Sequence, residues 1–199
     1  MSLFDALARA RTEEDVKDAY VTALSLKDVS KGLVDIQTKA IWYEAKCDPK
    51  PVLAMFAQLL FYVRQAHALG QPIPGFLVVM DREKAAILET ELARPVLNDT
   101  AIAWPTSASA VGKACIAQVA AHIEGHFTTY TIATDEREFI AAVKAAISDG
   151  RIIRTPITPD NLRQVFNKWV EMIGQEMSVP SVGDYAELFF ADIMHSGEQ

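Results

Sequence analysis

Cysteine is scarce in this chain, and its scarcity excludes whole classes of protein. Cys47 and Cys115 are the only two in 199 residues. They stand far apart, with no CxxC or Cys/His ligand spacing, so neither a disulfide scaffold nor a structural zinc or iron–sulfur site is expected. Nine glycines and nine prolines are too few for collagen or for a low-complexity disordered chain. Long apolar runs are missing too. The longest, residues 51–63, contains Gln58 and falls short of the roughly 20 residues that cross a bilayer, so no membrane partner is expected. The opening Met-Ser-Leu-Phe-Asp lacks the basic stretch and apolar segment of a secretory signal, which points to a cytoplasmic protein.

Positive charge is also in short supply. A formal net charge of −7 argues against a protein that holds a polyanion through its global field. The balance is uneven, with nine Lys/Arg and nine Asp/Glu before residue 81, then ten against seventeen. A polyanion site is therefore expected in the first half of the chain.

What is present is an ordinary globular composition, 50% hydrophobic and 23% charged, with clear local patterning. Thr12 before Glu13, Glu14 and Asp15 is an N-cap followed by acids that suit the helix dipole. It predicts a helix over 13–24 with Val16, Tyr20 and Leu24 on one face. Two short β-rich runs follow, 33–37 and 40–46, joined by a turn at Thr38-Lys39. Residues 52–69 repeat apolar positions at helical spacing until Gly70-Gln71-Pro72 stops them. The continuous apolar run 76–80 reads as a buried strand, with 85–90 its antiparallel neighbour. Further on, strands are expected at 101–104 and 127–133 and helices at 109–123 and 136–147. A Pro-rich hinge at 155–160 precedes expected helices over 160–174 and 182–194. The expected organisation is an α/β domain over 1–155, with a mixed central sheet flanked by helices, and a C-terminal helical extension over 156–199.

The stretch with chemical content is the hairpin from Gly32 to Lys46. On a strand over 40–46, Glu44 and Lys46 are two residues apart and leave the same face as Trp42, while Ile41, Tyr43 and Ala45 point the other way. Asp35 sits on the neighbouring strand. Two carboxylates brought together beside an ammonium suit a hard divalent cation and the stabilisation of an attacking hydroxide, and a phosphodiester is a natural target for that chemistry.

Asp35 followed by Glu44-Ala-Lys46 resembles the PD-(D/E)xK nuclease superfamily, whose pattern is an Asp, a variable gap and then (Asp/Glu)-x-Lys. Gln58-Leu-Leu-Phe-Tyr62 is similar to the Gln-x-x-x-Tyr motif of its RecB-type branch, and i,i+4 spacing places both side chains on one helix face. Glu13 or Glu14 opens the preceding helix where many members carry a further acid. The resemblance covers residues 10–90. It implies a restriction-endonuclease-like core and Mg²⁺-dependent hydrolysis of DNA, with Mn²⁺ as a substitute. Asp35 and Glu44 would hold the metal, Lys46 would act on the water and phosphate, Gln58 would steady the site, and Glu13 and Tyr62 would support it. Val34 stands where the family name has Pro, and the first core strand has to fit into 26–30. The layout with residues 157–169 resembles the N-terminal nuclease region of restriction–modification proteins, which implies a linked methyltransferase or helicase domain; a homodimer is the other partner expected. DNA affinity could draw on Lys27, Lys31, Lys39, Lys50 and Arg64.

Two rival readings remain at this level. One is a catalytically silent nuclease-fold module that binds DNA or scaffolds a complex. The other is a metal-independent interaction domain with an accidental motif, from which convergence of Asp35, Glu44 and Lys46 in space would distinguish the first two. His122-Ile-Glu-Gly-His126 has the wrong order for a metalloprotease helix and reads as a solvated helix end. Ala110-Val-Gly-Lys-Ala lacks the first glycine and the hydroxyl of a P-loop.

The hinge makes one expectation testable. The extension presents Phe166, Trp169, Leu188, Phe189 and Phe190, more aromatic surface than a free tail would leave in water. A chain ending at residue 155 is expected to stay folded but to lose solubility or change its oligomeric state in light scattering. The same mass and melting temperature as the full chain would make the extension a loose linker.

Overall fold

Helix-capping chemistry at the start of the chain sets the first layer. Thr12 Oγ1 accepts the Asp15 N–H at 3.1 Å and Asp15 Oδ2 accepts the Thr12 N–H at 2.9 Å, a reciprocal capping box that satisfies two of the orphan donors at a helix N-terminus. Helix α2 (Glu13–Leu24) follows and buries Val16, Tyr20 and Leu24. A helix the sequence pattern did not announce, α1 (Leu3–Arg9), precedes it. It is capped by Ser2 and by the distant Glu136 carboxylate, which accepts the Leu3 and Phe4 N–H groups at 2.9 and 3.0 Å. The computed structural model describes residues 2–154 except 31 and 33, together with 158, 159, 162, 163, 165–167 and 170.

After α2 come β1 (Ile36–Gln37), β2 (Ile41–Ala45), α3 (Val52–Ala68), β3 (Ile73–Pro74), β4 (Phe76–Met80) and β5 (Lys84–Glu89). A 3₁₀ turn (Thr90–Ala93) leads into α4 (Arg94–Asn98), and a second (Ala108–Ala110) precedes α5 (Lys113–Ile123). The set closes with β6 (Phe127–Thr131), α6 (Ile132–Asp149) and β7 (Ile152–Ile153). Five strands form a mixed sheet in the order β1-β2-β4-β5-β6, with β2 parallel to β4 and every other pairing antiparallel. The parallel pair requires a crossover, and α3 supplies it. Strands β3 and β7 form a separate antiparallel pair.

Alternation along the strands builds two cores, one on each face of the sheet. Ile41, Tyr43, Ala45, Val78, Met80 and Ala85 meet α1, α2 and α6, while Leu77, Val79, Ala86 and Leu88 meet α3, α4 and α5. Strand β4 is buried on both faces, which explains its unbroken apolar run. Among the described residues no helix is long and apolar enough to cross a membrane.

Several expected boundaries shift. Residues 101–104 form no strand. Their backbone groups are instead met by side chains, with Gln118 donating to the Ala101 carbonyl and accepting the Ala103 N–H, both at 3.0 Å, and Asp99 accepting the Ala101 N–H at 2.8 Å. The strand expected over 33–37 shortens to two residues, and the cramped 26–30 segment contributes only an isolated bridge from Ser30 to Gln37. The run 127–133 ends as a strand at Thr131, and the helical turn that follows is broken by non-helical backbone at Asp135, whose Oδ2 accepts the Thr131 N–H at 2.8 Å, so the regular helix runs on from residue 136 as expected. Helix α5 begins at Lys113 rather than 109.

Internal contacts divide the chain into a unit of Met1–His67 with Gln71–Thr155, and a unit of Ala68–Gly70 with Pro156–Gln199. In the second, residues 162, 163, 165–167 and 170 are helical; the rest of the helix expected over 160–174, and all of that over 182–194, lie outside the described residues.

Gly75, between β3 and β4, marks a close backbone approach. Its N–H donates to the Arg151 carbonyl at 2.9 Å, and a Cβ placed there would lie 2.5 Å from that oxygen. Gly75→Ala is therefore expected to force the β3–β7 pair away from the sheet and cost about 1–3 kcal/mol. The corresponding drop in melting temperature by circular dichroism checks this, and an unchanged value would refute the close approach.

Candidate functional site

The register of β2 places the first two charged groups. Ile41, Tyr43 and Ala45 enter the core beneath α2 and α6, and Trp42 packs into the opposite core, so Glu44 leaves β2 on the Trp42 side, with Lys46 following just past the strand end. The parallel ladder continues one bond beyond β2, where the Lys46 N–H donates to the Met80 carbonyl at 2.9 Å. On the other side of β2 the ladder with β1 stops early. Ile36 faces Tyr43, which leaves Asp35 just outside the strand and not on it as expected. Its carboxylate takes over the role of a strand neighbour, and Oδ2 accepts the Ala45 N–H at 2.8 Å.

Helix α2 brings the remaining charges. Glu13 in its first turn and Lys17 one turn later share a face and stand 3.3 Å apart. Lys17 Nζ reaches Asp35 Oδ1 at 2.8 Å. Lys46 Nζ lies 2.7 Å from Glu44 Oε1, 3.5 Å from Glu13 Oε2 and 3.9 Å from Asp35 Oδ2. With Glu14 Oε2 3.7 Å from Lys17 Nζ, four carboxylates thus surround two ammonium groups. The helix is held over the strand end by Tyr20, whose hydroxyl donates to the Asp81 carbonyl at 2.8 Å. The fully buried Asp81 carboxylate in turn accepts the Glu83 and Lys84 N–H groups at 2.7 and 2.8 Å and that of Lys50 at 3.2 Å. That tie fastens the turn after β4 to the segment that follows Lys46.

Burial dominates the electrostatics. Glu44 is only 5% exposed, and desolvation lifts its carboxyl from the ordinary range to about 7 against the pull of Lys46, with Asp35 and Glu13 pushing it further up. Burial works against the Lys46 ammonium, but the hydrogen bond and field of Glu44, joined by Asp35 and Glu13, outweigh it and raise its pKa. Lys17 follows the same pattern, with Asp35 and Glu13 overcoming desolvation.

Gln58 and Tyr62 lie on α3, both half-buried. The Tyr62 hydroxyl is raised by burial and then by the negative fields of Glu44 and Asp35, so it borders the cluster. Among the described residues Gln58 makes no hydrogen bond to Asp35, Glu44 or Lys46. Arg64, one of the expected sources of DNA affinity, lies over the Trp104 ring at 5.7 Å. Lys17 is the residue the sequence reading missed, although its spacing of four from Glu13 was a usable signal. The stretch from His122 to His126 is the exposed end of α5, as expected, and within it His122 Nε2 pairs with Asp99 Oδ2 at 2.8 Å. Among the described residues no three His, Cys, Asp or Glu side chains are already gathered as a ligand set; at the hairpin, ammonium groups stand between the carboxylates. Comparison with protein-family models, curated proteins and solved structures finds no match.

The raised Glu44 pKa fixes a pH dependence. Folded Glu44 keeps its proton to about 7, whereas the unfolded chain releases it near 4.5, so the folded state binds more protons between these values. Its contribution to stability falls as pH rises through that window and is least favourable above it. Glu44→Gln, measured without added metal, is expected to match the wild type near pH 4 and to exceed it at pH 8 by on the order of 1–3 kcal/mol in urea unfolding. Parallel stability curves would show that Glu44 ionises normally.

Proposed function

We propose that this chain is a divalent-metal-dependent deoxyribonuclease of the PD-(D/E)xK superfamily with a restriction-endonuclease-like core. The observation that carries the reading is the convergence of Glu13, Asp35 and Glu44 on Lys46, within 3.9 Å of its ammonium. An accidental Asp…Glu-x-Lys match would have no reason to bring these side chains together across the hairpin and a separate helix. The element order adds support, since a helix, a hairpin, a crossover helix and a parallel strand precede the antiparallel remainder of the sheet.

The donors suit Mg²⁺. They are hard carboxylate oxygens, and with Glu14 on Lys17 the carboxylates outnumber the ammonium groups by two. Asp35 and Glu44 would hold the ion, with Glu13 at the margin. When bound, such an ion supplies Lewis-acid polarisation of the phosphoryl oxygens and a lowered pKa for water. The rest falls to the chain. Lys46, released from part of its carboxylate company, would turn its ammonium to the attacking water or to charge developing on the phosphate. Tyr62 would border the substrate side of the cluster, and Gln58 is left with its amide available for a phosphate.

On its assigned role alone, acting on water and phosphate, Lys46 could be removed with metal binding and folding largely intact. Its contacts with three carboxylates make removal more consequential, because the buried Glu44 loses its closest counter-charge. A cleavage assay on plasmid and linear DNA tests the proposal. The wild type is expected to cut both with Mg²⁺ or Mn²⁺ and neither with a chelator. Asp35→Ala and Glu44→Ala should lose cleavage together with Mn²⁺ binding. Lys46→Ala should lose at least about a hundredfold in rate while still binding Mn²⁺. Metal binding by a wild type that cuts no DNA would favour the silent module, and a wild type that binds no divalent ion would end the nuclease reading.

A further inference from the structure

We infer that Lys17 is a positioning residue, holding the Asp35 carboxylate in a fixed orientation beside Glu44; its relevance to metal binding rests on the reading of Asp35 given above. The backbone around Asp35 is held by the buried Val34 before it, by β1 from Ile36 onward and by the bridge from Ser30 to Gln37, but none of these sets the direction of the Asp35 carboxylate. The orientation of the carboxylate comes from two contacts of equal length. Oδ2 accepts the Ala45 N–H at 2.8 Å and Oδ1 meets Lys17 Nζ at 2.8 Å.

Lys17 is equipped to impose that orientation. Its side chain is only 13% exposed, and it projects from a helix fixed at both ends of its first two turns, by the Thr12–Asp15 capping box and by the Tyr20 hydroxyl on the Asp81 carbonyl. Glu13 one turn earlier holds its ammonium from the other side at 3.3 Å. The two lysines divide the work. Lys46 makes its shortest contact with Glu44, whereas Lys17 contacts Asp35, Glu13 and Glu14. An ammonium that neutralised charge and nothing more would compete with any incoming cation, and its removal would tighten cation binding. One that orients a ligand has the opposite effect on removal. The sign of the change therefore decides the role.

The test uses the full chain as wild type, Lys17→Met and Lys17→Arg, with two readouts. The first, without metal, is hydrogen exchange at the Ala45 amide, with the Lys46 amide on the Met80 carbonyl as internal control. Lys17→Met is expected to speed Ala45 exchange by about tenfold or more, the value of a charge-assisted hydrogen bond, and to leave Lys46 exchange unchanged. The second is calorimetric titration with Mn²⁺, where Lys17→Met should weaken binding about tenfold and Lys17→Arg should restore most of both readouts. Lys17→Gln replaces the methionine variant if that one melts below the assay temperature. Unchanged Ala45 exchange, or tighter Mn²⁺ binding in Lys17→Met, would overturn the positioning role. A wild type without affinity for Mn²⁺ would overturn the metal reading of Asp35, while the exchange arm decides separately whether Lys17 holds that carboxylate.

Discussion

A carboxylate buried near the end of a central strand is the constraint around which this molecule is arranged. Glu44 lies between two packed layers, and removing a carboxylate from water is among the costliest acts a fold can perform. The cost is offset only in part, by adjacency. Lys46, two residues on, needs no long-range organisation to reach Glu44, and it brings its own desolvation penalty, which Glu13 and Asp35 then reduce. Each added charge recruits the next, so the cluster grows outward from the strand to the hairpin and to α2. Glu44 is the least exposed member and Glu13 and Glu14 are the most exposed, while Lys17 on α2 is more buried than Lys46 beside Glu44.

This arrangement makes the placement of α2 more than a matter of apolar packing. Val16, Tyr20 and Leu24 would allow the helix to slide along the sheet, since hydrophobic contact is non-directional. The Tyr20 hydroxyl on the Asp81 carbonyl removes that freedom, and Asp81 is itself locked by three backbone N–H groups. A buried carboxylate outside the cluster thus sets the height at which Glu13 and Lys17 meet Asp35. Arg82 adds a second tie, its Nε donating to the Cys47 carbonyl at 2.7 Å, so the segment leaving Lys46 is anchored on the same turn.

Much of this was legible in the sequence where the determining interactions are local. The limits of α2, the hairpin turn at Thr38-Lys39 and the strand 76–80 follow from capping, turn chemistry and an unbroken apolar run, and the structure has them. The same-face relation of Glu44 and Lys46 follows from the two-residue period of a strand. What was not legible depends on distant partners. Helix α1 is completed by Glu136 more than a hundred residues away. Residues 101–104 have the composition of a strand, yet Gln118 and Asp99 satisfy their backbone. Asp35 falls outside β1 because its side chain does the work a strand backbone would do. Lys17 is a different case. Its spacing from Glu13 was visible, but an i,i+4 Glu/Lys pair on a helix surface is so common that only the approach of Asp35 distinguishes it.

The charge count also resolves the tension between an acidic chain and a polyanionic substrate, on the function proposed. Glu13, Glu14, Asp35 and Glu44 set against Lys17 and Lys46 leave the cluster with two surplus negative charges when all are ionised, a local field that repels phosphate. A single divalent ion would cancel that surplus, which would otherwise take two further lysines. The ammonium groups that sit among the carboxylates limit their mutual repulsion and stop short of neutralising them. On the proposed function a third lysine would reduce that repulsion further and would also compete with the cation, so stability and binding would set opposite limits on the number of ammonium groups.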